Sequence, residues 1–191
     1  MFNIYSRNAF RSLLKATILV CSIALPFTAS AGLITINGST LGDPTWNRPI
    51  AGGPNLSGTG TAVAYDVILF QVDVSTTYDF LSTARWDNYL FLYQNSFDSL
   101  NQLTNLIIGN DDFPTIGLSG FNGVALLTGV NYFAVTSGFA NDNFGDFTLT
   151  ISSNLGTAFI PGVNDVPAPA SLAILGLALF GTGILRRRKK V

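Results

Sequence analysis

Acidic and amide side chains fall in three short groups: Asp87-Asn88, Asn110-Asp111-Asp112, and Asn141-Asp142-Asn143 followed by Asp146. Carboxylate and amide oxygens gathered at loops are the hard ligands that Ca²⁺ takes, about six to eight at a time. Asp87, Asn110, Asp111, Asp112, Asp142 and Asp146 are therefore the candidate calcium ligands, and calcium is the one cofactor with a case. The segment NDNFGD fails the helix–loop–helix calcium pattern, because Phe144 occupies a ligand position and the closing Glu is missing. The same residues also fit an ion-free reading, as Asx-turn formers that close and solubilise exposed loops.

Catalysis has fewer routes. The chain contains no His, and Cys21 is its single cysteine. No Ser–His–Asp or Cys–His pair can be assembled, and a zinc site of His and Cys ligands is equally out of reach. Glu is absent too, so glycosidase chemistry would need two Asp residues with one held protonated. Asp111 and Asp112 are adjacent, which along an extended chain points their side chains apart. A non-enzymatic protein is expected, with an Asp-only hydrolase as the remote alternative. Trp46, Trp86, Tyr89, Tyr93 and Tyr132 would stack on sugar rings if they shared an exposed patch; otherwise they are core or cross-strand pairs.

The elements that must position these groups have a short period. In YDVILFQVDV, Ile68, Phe70, Val72 and Val74 share one face, as a half-buried strand requires. Further strands are expected at 33–37, 78–82, 89–93, 103–108, 123–127, 132–136 and 147–152. Turn sequences such as Gly109-Asn110-Asp111-Asp112, Thr128-Gly129 and Phe144-Gly145-Asp146 separate them. This spacing predicts an all-β fold, with a body that is an antiparallel β-sandwich or jelly-roll-like arrangement. Residues 38–61 form a Gly/Pro/Ser/Thr-rich stretch, read as a surface strap in which Asn47 and Arg48 could alternatively help to shape a site. The domain is expected to end near Ser153, with a linker over 154–165.

Charge is segregated. Arg7, Arg11 and Lys15 stand near the N-terminus, and Arg186, Arg187, Arg188, Lys189 and Lys190 at the C-terminus. Between them, Arg48 and Arg85 face eleven Asp, so the body carries −9. Such a body is a poor prospect for nucleic acid phosphates, and none is expected as a partner. The first 31 residues read as a secretory signal: a basic start, the apolar run ATILVCSIALPF, and Ala29-Ser30-Ala31 at an A-x-A cleavage site. Its loss would leave a body without cysteine, held by its core alone.

At the other end, the fifteen residues from Ser171 to Leu185 would span about 22 Å as a helix, short of a bilayer core of about 30 Å. The five cations beyond them would hold that end in the cytoplasm and leave the body outside. Pro167 and Pro169 keep the approach extended. The expectation is therefore a body flanked by an N-terminal signal helix and a short C-terminal transmembrane helix.

Two resemblances follow. YDVILFQVDV, WDNYLFLYQNSFD, IIGNDDFP, LLTGVNYFAVTSG and GDFTLTIS come in the order seen in bacterial pre-peptidase C-terminal (PPC-like) domains, over 62–153. This resemblance implies a non-catalytic β-sandwich accessory, some of whose members bind calcium, with Asp87, Asp111 and Asp112 at matching acidic positions. Val166-Pro167-Ala168-Pro169-Ala170, the apolar run and the basic tail together resemble a PEP-CTERM sorting signal over 166–191, with Ala168 where that family usually has Glu. It implies recognition by a membrane-embedded exosortase-type processing enzyme. Export through the Sec translocon, transient residence in the inner membrane, and delivery to the cell surface or extracellular matrix of a Gram-negative bacterium would follow. The role expected on this basis is structural or adhesive within extracellular polysaccharide; the alternative is a calcium-dependent or carbohydrate-binding module.

Overall fold

The structure, a computed structural model, describes residues 31–162. Ala29, Val166, Pro167, Ala168, Pro169, the apolar run and Arg186–Lys190 lie outside the described residues, as do both expected flanking helices. Among the described residues no helix is long and apolar enough to cross a membrane.

The body is all-β, with antiparallel pairing throughout. Its strands are β1 (Gly32–Ser39), β2 (Thr45–Trp46), β3 (Val63–Val72), β4 (Thr76–Ala84) and β5 (Asn88–Gln94). They continue with β6 (Leu106–Asn110), β7 (Leu118–Leu126), β8 (Tyr132–Gly138), β9 (Asp146–Ser153) and β10 (Ala158–Phe159). A four-stranded sheet has the order β1-β9-β4-β7. A second has the order β10-β3-β8-β5-β6, with β2 also paired to β3. The chain passes repeatedly between the two, so most of its sheet neighbours are distant in sequence.

Both sheets contribute to one core. Phe70, Val72, Leu90, Leu92, Tyr132 and Ala134 come from the second sheet, and Tyr78, Phe80, Phe121, Leu126, Phe147, Leu149 and Ile151 from the first. The period-2 pattern explains the first sheet well. In β9, Phe147, Leu149 and Ile151 turn inward while Thr148, Thr150 and Ser152 alternate with them.

The second sheet breaks that simple alternation. Every residue of β5 from Asn88 to Tyr93 is buried, because the sheet is covered on both faces. Its second face carries a further core of Val63, Tyr89, Phe91, Tyr93 and Val135, roofed by Trp46 and Phe97. The Trp46 ring lies 5.3 Å from Phe91, 5.4 Å from Tyr65 and 5.5 Å from Phe97, between centroids. Its Nε1 donates to Ser137 Oγ at 2.9 Å, and that hydroxyl donates to the Ala64 carbonyl at 2.9 Å. Trp46 is only 4% exposed.

The stretch over 38–61 is thus a structural cover rather than a plain surface strap. It is pinned by Ser57 N to Arg48 O at 2.8 Å, Arg48 N to Gly60 O at 3.1 Å, and a Pro49–Leu56 bridge. Oriented to donate, the Asn47 amide reaches the Ser57 and Gly60 carbonyls at 3.0 Å.

Several boundaries differ from expectation. β7 starts at Leu118, five residues early, because Ser119, Gly120 and Phe121 are buried against β4 although the sequence there reads as turn-like. β6 starts at Leu106, since Asn101 to Thr104 form a turn. β3 stops at Val72, leaving Val74 exposed. The chain also continues past Ser153 into β10, which pairs Ala158 with Val72 where a linker was expected.

Truncating Trp46 opens the second core. Trp46→Ala is expected to destabilise the protein by about 3–5 kcal/mol, read from the midpoint of urea unfolding followed by far-UV circular dichroism.

Candidate functional site

Of the six acidic-site candidates, the fold brings three together. Asp87 sits in the turn that enters β5, and Asp111 and Asp112 follow the end of β6. The β5–β6 register places Leu90 opposite Asn110, so the residues just past β6 come level with the start of β5. One carboxylate oxygen from each of Asp87, Asp111 and Asp112 lies within 4.8 Å of the others. The expectation that adjacent Asp111 and Asp112 point apart is corrected, because they lie beyond β6, where the chain bends and strand alternation no longer applies.

The remaining three candidates lie outside that carboxylate group. Asn110 Oδ1 accepts a long 3.4 Å bond from Gly120 N, tying β6 toward β7. Asp142 is exposed in the β8–β9 turn, where its neighbours act as turn formers. Asn141 Oδ1 accepts from Ala62 N at 2.9 Å, and Asn143 Oδ1 from Ala140 N at 2.8 Å. Asp146 opens β9, and its carbonyl accepts from Trp86 Nε1 at 3.0 Å. Neither Asp142 nor Asp146 belongs to the three-carboxylate group.

Electrostatics set this group apart. Burial, then the Asp87 and Asp112 charges, push the Asp111 carboxyl up to about 6, against a partial lowering by Arg48. Its Oδ1 is buried without a hydrogen-bond partner. Burial and Asp112 likewise raise Asp87, with Arg48 opposing. Asn88 is fully buried beside them. Its Nδ2 donates to Ser82 O at 3.1 Å and Ser82 Oγ at 3.0 Å, while its Oδ1 has no partner.

Arg48 is the counter-charge, and its depth is not legible from a Gly- and Pro-rich stretch. It is 2% exposed. Its guanidinium carbon stands 4.2 Å from the Tyr89 ring centroid and 5.2 Å from that of Phe139. Nη2 and Nε donate to the Phe139 carbonyl at 2.7 and 3.1 Å, and Nη1 to the Pro49 carbonyl at 3.0 Å. Burial lowers its pKa, opposed by Tyr89 and by Asp111 and Asp87. Arg48 is thus enclosed rather than carried on a surface strap, and it lies within electrostatic reach of Asp87 and Asp111.

The aromatic candidates do not form an exposed patch. Trp46, Tyr89, Tyr93 and Tyr132 are buried in the two cores, because β5 and β8 are covered on both sides. Trp86 alone is half-buried and accessible.

An Asp carboxyl raised from its ordinary 3.8 to about 6 costs the fold stability as it ionises. The penalty is absent below about pH 4, where both folded and unfolded states are protonated, and complete above about pH 6. In chelator-treated buffer, Asp111→Asn should therefore raise the melting temperature at pH 7.5 by about 2–6 °C. That corresponds to about 1 kcal/mol once solvent screening of a partly exposed group is allowed for. The difference should vanish near pH 3.5, as scanning calorimetry at both pH values will show.

No curated protein matches the chain. A family model described as the PEP-CTERM protein-sorting motif matches residues 165–189, spanning Ala168 and the basic tail up to Lys189. The chain therefore carries a C-terminal motif that implies export and membrane-associated processing by an exosortase.

Proposed function

We propose that this is an exported, non-enzymatic protein of the bacterial cell surface or extracellular matrix, with a structural or adhesive role among extracellular polysaccharide. The sorting motif at 165–189 is the observation that carries the reading. In this reading the signal sequence ends at Ala31, and the tail is read at Val166–Pro169, with Arg186–Lys190 holding its end inside. The body is a jelly-roll-type β-sandwich of PPC-like character. The strand orders β1-β9-β4-β7 and β10-β3-β8-β5-β6, around one shared core, support that description. The absence of His from the chain, and of Cys and Glu from the body, supports a role without catalysis.

Intact-mass measurement of the exported protein tests the sorting step. The expected mass starts after Ala31 and lacks the apolar run and basic tail; a mass extending through Val191 would sink the proposal. Ala168→Glu, which restores the family's usual residue, should leave processing unchanged or speed it up to a few-fold in a pulse-chase, and slower processing would contradict this reading of position 168.

A second reading is favoured by the three gathered carboxylates and the orphaned Asp111 Oδ1: calcium binds at Asp87, Asp111 and Asp112. Hard oxygen ligands suit the ion, and its charge would offset the burial and the mutual repulsion that together raise Asp111. At pH 7.5, millimolar Ca²⁺ should raise the melting temperature by several degrees, as binding to the native state alone requires. The rise should disappear in Asp87→Asn and shrink at pH 5, where Asp111 is protonated. No shift at pH 7.5 would remove calcium from consideration.

A further inference from the structure

We propose that a groove on the outer face of the four-stranded sheet, which no other described segment covers, binds a neutral saccharide chain. The proposal rests on the reading of the body as a protein that works among extracellular polymer, and it gives that body a site. The groove has a volume of about 860 Å³, within the range of about 300–1,000 Å³ typical of small-molecule sites. It shares no residue with the three-carboxylate group.

Its floor is set by strand register. Asn37 of β1 faces Thr148 of β9, and Thr148 faces Thr83 of β4, so three polar side chains lie side by side across three strands. Thr148 Oγ1 donates to Asn37 Oδ1 at 2.9 Å. This leaves the Asn37 amide hydrogens as donors and the lone pairs of the threonine hydroxyls as acceptors.

Its end is formed by Arg85, Trp86 and Asp146. The Trp86 indole is held by its Nε1 bond to the Asp146 carbonyl and by Gly145, where a Cβ would come within 3.0 Å of that nitrogen. Arg85 is exposed and has no hydrogen bond or ion pair among the described residues. In a body with two cations and eleven acids, that leaves an uncommitted guanidinium in the same groove as an aromatic ring.

The chemistry selects the ligand. Hydroxyls of a sugar both donate and accept, and the groove offers Arg85 and the Asn37 amide as donors, the Asp146 carboxylate and the Thr148 oxygen as acceptors, and Thr83 as both. Trp86 is half-buried against the core, and the part of its indole that lines the groove supplies an apolar surface for a pyranose ring. A polyanion is disfavoured because Asp146 offsets Arg85 within the groove and the body around it carries −9. An apolar peptide face would find a floor of threonine and asparagine.

The test uses the full chain in a detergent without a sugar headgroup. Gluco-, galacto- and manno-hexaose and an oligouronate are titrated calorimetrically, with acrylamide quenching of tryptophan fluorescence in parallel. Because Trp46 is buried, the quenchable signal belongs to Trp86. At least one neutral hexaose should bind and shield Trp86. Arg85→Ala and Thr83→Val should each weaken binding about tenfold with the melting temperature unchanged. Absence of binding, preference for the oligouronate, or binding unaffected by both variants would each overturn the proposal. A chain that retains its tail yet binds would sink the sorting proposal and leave the groove standing; a processed chain that binds nothing would do the reverse.

Discussion

Burial of both faces of β5 is the constraint on which the rest of the body depends. Leu90 and Leu92 pack against the four-stranded sheet, while Tyr89, Phe91 and Tyr93 would stand in water unless something roofed them. The roof is the segment around Trp46 and Arg48, joined by Phe97 from the β5–β6 loop. Burying this many aromatic side chains is a large favourable term for a body with no cysteine to brace it. It also explains why a Gly- and Pro-rich stretch is held by backbone bonds to itself and to the sheet.

Seating that roof brings a charge inward. Arg48 is removed from water, and it is tolerable there because two ring faces, two carbonyls and the nearby Asp87 and Asp111 carboxylates compensate it. One cation does not satisfy three clustered acids, however. Asp111 remains high and its Oδ1 unpaired. The acidic group and the aromatic roof are therefore one electrostatic unit, and a change in either is felt by the other.

The two sheets differ in what they leave exposed. The second sheet hides its outer face, whereas the first presents Asn37, Thr83, Thr148 and Thr150 outward with no described segment over them. Polar residues opposite Phe147, Leu149 and Ile151 are what a strand buried on one side requires. Next to Arg85 and Trp86 the same alternation also furnishes a surface rich in hydrogen-bonding groups.

Sequence alone determined the all-β class, most of the strands, the exclusion of His- and Cys-based chemistry, and the sorting motif. These are local properties: alternation, composition and contiguous pattern. It also named Asp87, Asp111 and Asp112 together with Asn110, Asp142 and Asp146; the fold gathers the first three carboxylates and sets Asp142 in the β8–β9 turn and Asp146 at the start of β9. Ser119 to Phe121 were missed as strand because Gly120 and its neighbours look like a turn until β4 is beside them. Short β2 and β10 exist only as partners of β3. Tertiary structure decided that Trp46, Tyr89 and Tyr93 are buried while Trp86 is reachable, that Arg48 is enclosed while Arg85 is exposed, and which acids meet. Each of those outcomes depends on what covers a strand's second face, and the covering residues lie tens of positions away along the chain.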